Sequence, residues 1–171
     1  YVWTSLIGVI LAALSLGYWL AGRMADKRPD VKVLASAIFL AGGAVSVTIL
    51  IKDAVLSMIG STSLALEFKS VFAAAVLFAP ASLLLGFVTP YAVKLRTLSL
   101  EDAGKTVGRL YALSTIVSIA GTFAAGFVLI PFVGSTRTLY LIAGSLIAVS
   151  LMLAPFAFSR ANFAVLVLFA F

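Results

Sequence analysis

The sequence predicts an all-α protein, a polytopic bundle of transmembrane helices, on three observations. Hydrophobic residues make up 63% of the 171 positions and charged residues only 11%, with a mean hydropathy of +1.22; a soluble domain is about 25% charged and 45–50% apolar. The apolar residues fall in long blocks rather than at amphipathic spacing. Blocks of ~20 apolar residues are long enough to cross a hydrocarbon core of ~30 Å as helices, and the Lys and Arg residues collect between them.

Six hydrophobic segments follow, at roughly 2–22, 33–51, 70–93, 110–133, 138–158 and 161–171. They form one transmembrane domain of five full helices and a partial sixth. The first contains no charge, and its charged end follows the apolar run, which argues against a signal peptide. A small-residue ladder, Ala13, Gly17 and Ala21, runs along it at intervals of four. The second segment is followed by Lys52 and Asp53. The third holds Pro80 and, near its end, Pro90 in "LGFVTPYAVKL"; each removes a backbone donor, so both are candidate kinks. Kinks serve gating in some membrane proteins, but most transmembrane prolines are structural.

The fourth segment carries Ser114, Ser118, Thr122 and Gly126 four apart, with Gly121 beside them, and Pro131 near its end. Such ladders let helix backbones approach closely, which matters where lipid supplies no hydrophobic drive for association. They are candidate helix-packing residues, with a sliding interface as the functional alternative. The sixth segment has too few residues to span. Both ends therefore read as cut from a longer membrane protein.

Charge sets the expected orientation. Arg23, Lys27, Arg28 and Lys32 lie in the first connection, Lys94, Arg96, Lys105 and Arg109 in the third, and Arg160 in the fifth; the even connections hold Lys52, Lys69 and Arg137. The positive-inside rule then places loops 23–32 and 94–109 in the cytoplasm, in a multi-pass protein of the cell's inner membrane. Pro29 disfavours helix at Arg28, so the first turn is expected to be short and to pair helices one and two as an antiparallel hairpin.

Several chemistries are excluded or unsupported. With no Cys and no His, the chain offers no disulfide, thiolate, imidazole ligand or histidine base. No hydrophobic segment has a charge near its centre, where each would cost ~2.5–3.5 kcal/mol. No nucleophile–base pair, metal constellation or glycine-rich phosphate loop is evident. Glu101 and Asp102 are adjacent, so a helix points them apart; near a helix start they favour the dipole. No catalytic residue, cofactor or metal is expected. The expected partners are the lipid bilayer and another protein or larger membrane complex. Nucleic acid is not among them, because the net charge of +6 sits between hydrophobic blocks, where topology and anionic headgroups account for it.

Three stretches carry a resemblance: "YVWTSLIGVILAALSLGYWLAGRMADKRP" (1–29), "LLLGFVTPYAVKL" (83–95) and "GRLYALSTIVSIAGTFAAGFVLIPFVGSTRTL" (108–139). In this order they resemble the membrane-spanning region of fused major-facilitator/spermidine synthase-like proteins. The resemblance implies a bundle like half of a major facilitator fold, followed in the family by an aminopropyltransferase-like domain. The family's upstream helix and its soluble domain, with a nucleoside-binding loop and catalytic Asp, are not in this sequence, so aminopropyl transfer is not assigned to it. Gly22, Asp26, Lys27 and Arg28 also resemble the first cytoplasmic loop of major facilitator transporters, with Pro29 or Asp30 where a glycine is expected. That likeness implies a latch, in which Asp26 accepts hydrogen bonds at a helix terminus while Arg23 or Arg28 bridges to a neighbouring helix. The plainer reading of the same charges is orientation and solvation.

Three functions remain open on these grounds. The first is a non-catalytic module that anchors, scaffolds or regulates a partner at the cytoplasmic face. The others are a half-transporter for a small metabolite and a structural subunit of an energy-transducing membrane complex.

Overall fold

The computed structural model describes residues 1–27, 29–96 and 103–153, and every element among them is helical. The helices are α1 (Val2–Lys27), α2 (Val31–Gly60), α3 (Leu66–Arg96), α4 (Ala103–Phe123), a π-helical segment (Ala124–Val133) that continues α4, and α5 (Ser135–Leu153). Five spans, with α4 and its π-helical continuation as one of them, are long and apolar enough to cross a membrane, and the chain is a multi-pass membrane protein. The sixth segment, 161–171, lies outside the described residues.

The helices outrun the hydrophobic segments. Lys27, Lys52, Asp53, Glu67, Lys69 and Arg96 are all helical, because a long charged side chain can reach the interface while its backbone stays in the helix. The 23–32 connection shrinks accordingly to the few residues around Pro29. There Asp30, in extended conformation (φ −120°, ψ 130°), caps α2 by accepting the Lys32 N–H at 2.9 Å, which satisfies one of the donors that the first turn leaves open.

Packing order differs from chain order. α1 lies along α3, α3 also packs on α2, and α2 packs on α5, which makes α2 the most buried helix. The expected hairpin of helices one and two is therefore corrected: α1 takes α3, not α2, as its packing partner. The reason is a mutual glycine contact. A Cβ added to Gly17 would strike the Leu83 carbonyl, and one added to Gly86 would sit 2.7 Å from the Leu14 carbonyl and 3.0 Å from its Cα. The two backbones touch where neither has a side chain. Gly42 does the same for α2 and α5: a Cβ added there would sit 2.9 Å from Ile147 Cγ1 and 3.1 Å from the Ala143 carbonyl.

Buried hydroxyls fasten these contacts. Thr48 Oγ1 donates toward the Leu77 carbonyl on α3 at 2.7 Å and lies 3.0 Å from the Ala44 carbonyl of its own helix. Leu77 sits in the turn before Pro80. Ser150 Oγ on α5 donates to the Ala35 carbonyl on α2 at 2.7 Å.

The π-helical segment contains Pro131. A proline ring crowds the carbonyl four residues back, and the wider i→i−5 winding relieves that crowding. The segment ends with the Gly134 N–H donating to the Leu129 carbonyl at 3.0 Å. Gly134 has φ +90°, a conformation that a side chain would disfavour, and it turns the chain directly into α5.

Candidate functional site at the charged end of the bundle

α1, α2 and α3 meet where α1 and α3 end and α2 begins. Ala21 and Ala25 from α1, Leu34, Ala37 and Ile38 from α2, and Phe87 and Tyr91 from α3 form one buried cluster. The ladder of the first segment thus extends by one rung: Ala13, Gly17, Ala21 and Ala25 are all buried. Small residues are what let the Tyr91 ring lie fully buried between the helices. Phe87, one turn earlier, stacks on it at 5.0 Å between centroids and 25° between planes.

Polar contacts lie above this cluster. The Asp30 N–H donates to the Tyr91 hydroxyl at 3.1 Å, tying the cap of α2 to α3. Asp26, one residue past Ala25, accepts from Lys94 Nζ at 2.8 Å, one residue short of a full turn after Tyr91. Both partners are more than half exposed, so solvent and salt screen the pair and its worth is at most about 1 kcal/mol. What the pair adds is register. Together with the Tyr91 contact it pins the ends of three helices.

The site residues expected from sequence are distributed unevenly. Asp26, expected to accept hydrogen bonds at a helix terminus, instead accepts from Lys94 on α3. The Arg23 guanidinium lies 4.0 Å over the Trp19 ring of its own helix, a cation–π contact, and is in neither ion pair among the described residues. Gly22 and Lys27 are exposed, and a Cβ on Gly22 would meet nothing within 4 Å. Arg28, Glu101 and Asp102 lie outside the described residues. Pro80 and Pro90 both sit inside α3, which runs on through them.

Ser114, Ser118, Gly121, Thr122 and Gly126 are exposed and pack against no described helix. Thr122 Oγ1 donates to the Ser118 carbonyl at 2.8 Å and Thr115 Oγ1 to the Tyr111 carbonyl at 2.9 Å, so these hydroxyls are satisfied within α4. With Ser114, Ser118, Ile119 and Phe123 they line an open groove of about 360 Å³.

Sequence reasoning missed Lys94, Tyr91 and Gly86 as site residues. A signal was present in "LGFVTPYAVKL": Gly86, Pro90 and Lys94 recur every four residues, as do Phe87 and Tyr91, which places two adjacent ridges on one side of the helix.

A second cavity opens at the opposite end of the bundle. It holds about 440 Å³ between α1, α2, α3 and α5, with an apolar wall that includes Leu6, Leu77 and Leu139, together with Thr48, Lys52 and Lys69. Lys52 is paired with Asp53 at 2.9 Å, and Lys69 Nζ donates to the Gly60 carbonyl at 3.1 Å.

The chain matches no protein-family model, no curated protein and no solved structure.

Proposed function

We propose that this chain is a non-catalytic membrane module, resembling the bundle of spermidine synthase-like fusion proteins, that anchors, scaffolds or regulates a partner enzyme at the cytoplasmic face. One observation carries the reading: the bundle is knitted on one side and open on the other. α1, α3, α2 and α5 bury glycines, alanines and hydroxyls in one another, whereas no described residue of α4 or the π-helical segment is buried. The α4 ladder is a surface against which another helix can approach closely, and the pinned charged end offers a rigid platform beside it. An aminopropyltransferase-like enzyme is the partner that the family resemblance implies.

Pull-down from detergent or lipid nanodiscs tests this. Co-purification of such an enzyme, lost on Gly126→Leu, is the expected result; a chain that purifies alone removes the reading. Orientation is checked separately, by labelling intact cells from outside with an impermeant amine reagent. Lys27 and Lys105 should be protected, and their modification would reverse the assigned sidedness.

A second reading, a half-transporter for a small metabolite, is favoured by the 440 Å³ cavity. It is open at the end opposite to the one that Tyr91 and the Asp26–Lys94 pair hold together, the arrangement that one state of alternating access requires. Uptake into reconstituted liposomes, compared between the native chain and Asp26→Asn, distinguishes it. Absence of flux under any gradient eliminates it.

A further inference from the structure

α4 stands against α3 only sparsely, and at the charged end the space between them is a recess of about 360 Å³ lined by Arg96, Arg109, Leu110 and Leu113. Arg96 is the last residue of α3, and Arg109 lies in the second turn of α4. Arginines from two helices therefore line one recess. Neither is paired with a described carboxylate; the ion pairs among the described residues are Lys94–Asp26 and Lys52–Asp53. Two arginines lining one recess together with two leucines favour an anion there, and the planar fork of arginine matches the oxygens of a phosphate in bidentate fashion.

The walls indicate which phosphate. Leu110 follows Arg109 directly and Leu113 lies one turn further into the span on α4, so the lining passes from cationic to apolar going into the membrane. The recess lies at the ends of two membrane-spanning helices, the depth at which lipid headgroups sit. A soluble anion would use the arginines alone, whereas a phospholipid uses the arginines with its phosphodiester and the leucines with its acyl chains.

We propose that the Arg96–Arg109 recess binds one anionic phospholipid, its phosphate between the two guanidinium groups and its chains filling the gap between α3 and α4. The lipid then completes packing that the protein leaves open on this side. Basic recesses between transmembrane helices hold anionic headgroups for the same electrostatic reason.

Native mass spectrometry of the full chain, purified in mild detergent and titrated with phosphatidylglycerol or phosphatidylcholine, tests the site. The expected result is one saturating phosphatidylglycerol per chain, preferred over phosphatidylcholine. R96Q/R109Q should weaken that binding about twenty-five-fold, from about fivefold for each guanidinium, with helical content unchanged by circular dichroism. K105Q, which removes an exposed charge from the same helix end outside the recess, should leave it nearly unchanged. Equal binding by R96Q/R109Q overturns the proposal, and so does an equal loss in K105Q, which would mean diffuse attraction to a basic surface. Ready displacement of the lipid by millimolar inorganic phosphate also overturns it, since the leucine walls would then contribute nothing.

Discussion

Ala13, Gly17, Ala21 and Ala25 on α1 and Ser114, Ser118, Thr122 and Gly126 on α4 are the same kind of ladder, small residues four apart on one helix face. The first is buried at every rung and the second is exposed at every rung. The difference lies outside the ladders. α1 faces α3 at a point where Gly86 removes the opposing side chain, so each helix supplies the space that the other needs. α4 faces no such complement among the described residues. The Thr115 and Thr122 hydroxyls close on carbonyls of their own helix, so these two need no partner to be satisfied in lipid. A small-residue ladder therefore states that close approach is permitted. A matching gap on a second helix states where it happens.

The largest effect expected from this contrast is at Gly17. In Gly17→Leu the new side chain meets the Leu83 carbonyl and the Gly86 backbone, neither of which can rotate away. A loss of about 3 kcal/mol or more is expected, measured by unfolding in mixed micelles of SDS and mild detergent; a loss below about 1 kcal/mol would mean that the glycine contact does not hold α1. Next is Tyr91→Phe, which takes the acceptor from the Asp30 N–H while keeping the ring. It should cost about 1–2 kcal/mol, and exchange of the Asp30 amide should quicken, whereas unchanged exchange would show that this amide relies on another acceptor.

A double-mutant cycle on Asp26→Asn and Lys94→Gln should give a coupling below about 1 kcal/mol that fades as salt is added. A coupling that persists in high salt would show the pair to be far less solvated than its exposure implies. The smallest effect closes the comparison. Gly121→Leu and Gly126→Leu should each shift the stability of the isolated chain by no more than about 0.5 kcal/mol, because a Cβ at either position meets nothing within 4 Å. If either destabilises the isolated chain as Gly17→Leu does, α4 is packed after all and the contrast between the two ladders is gone.

Individual residues show how far the fold and the site could be read in advance. The spans were legible because a bilayer demands long uncharged runs. Their ends were less so, since Lys52 and Lys69 look like loop residues until a helix is seen to carry them. Pro29 marked the first turn correctly, and Asp26 stood out as an acid beside a helix end. Its partner did not, because Lys94 is 68 residues away and one lysine of several at that end; distance along the chain carries no information about which cation a carboxylate meets. Gly86 and Tyr91 were hidden for a related reason. Each is defined by what it touches on another helix.

Composition and the spacing of charge were enough to establish helices, a bilayer as solvent and the site of the first turn, because hydrocarbon admits so few backbone arrangements that length and polarity select one. Neighbour choice came from packing: α1 with α3 instead of α2, α2 at the centre, one ladder covered and the other left open. Lipid is nearly as good an environment for leucine as another helix is, so apolar sequence expresses little preference among partners. The preference arises where Gly17 and Gly86, or Gly42 and Ile147, fit each other in three dimensions.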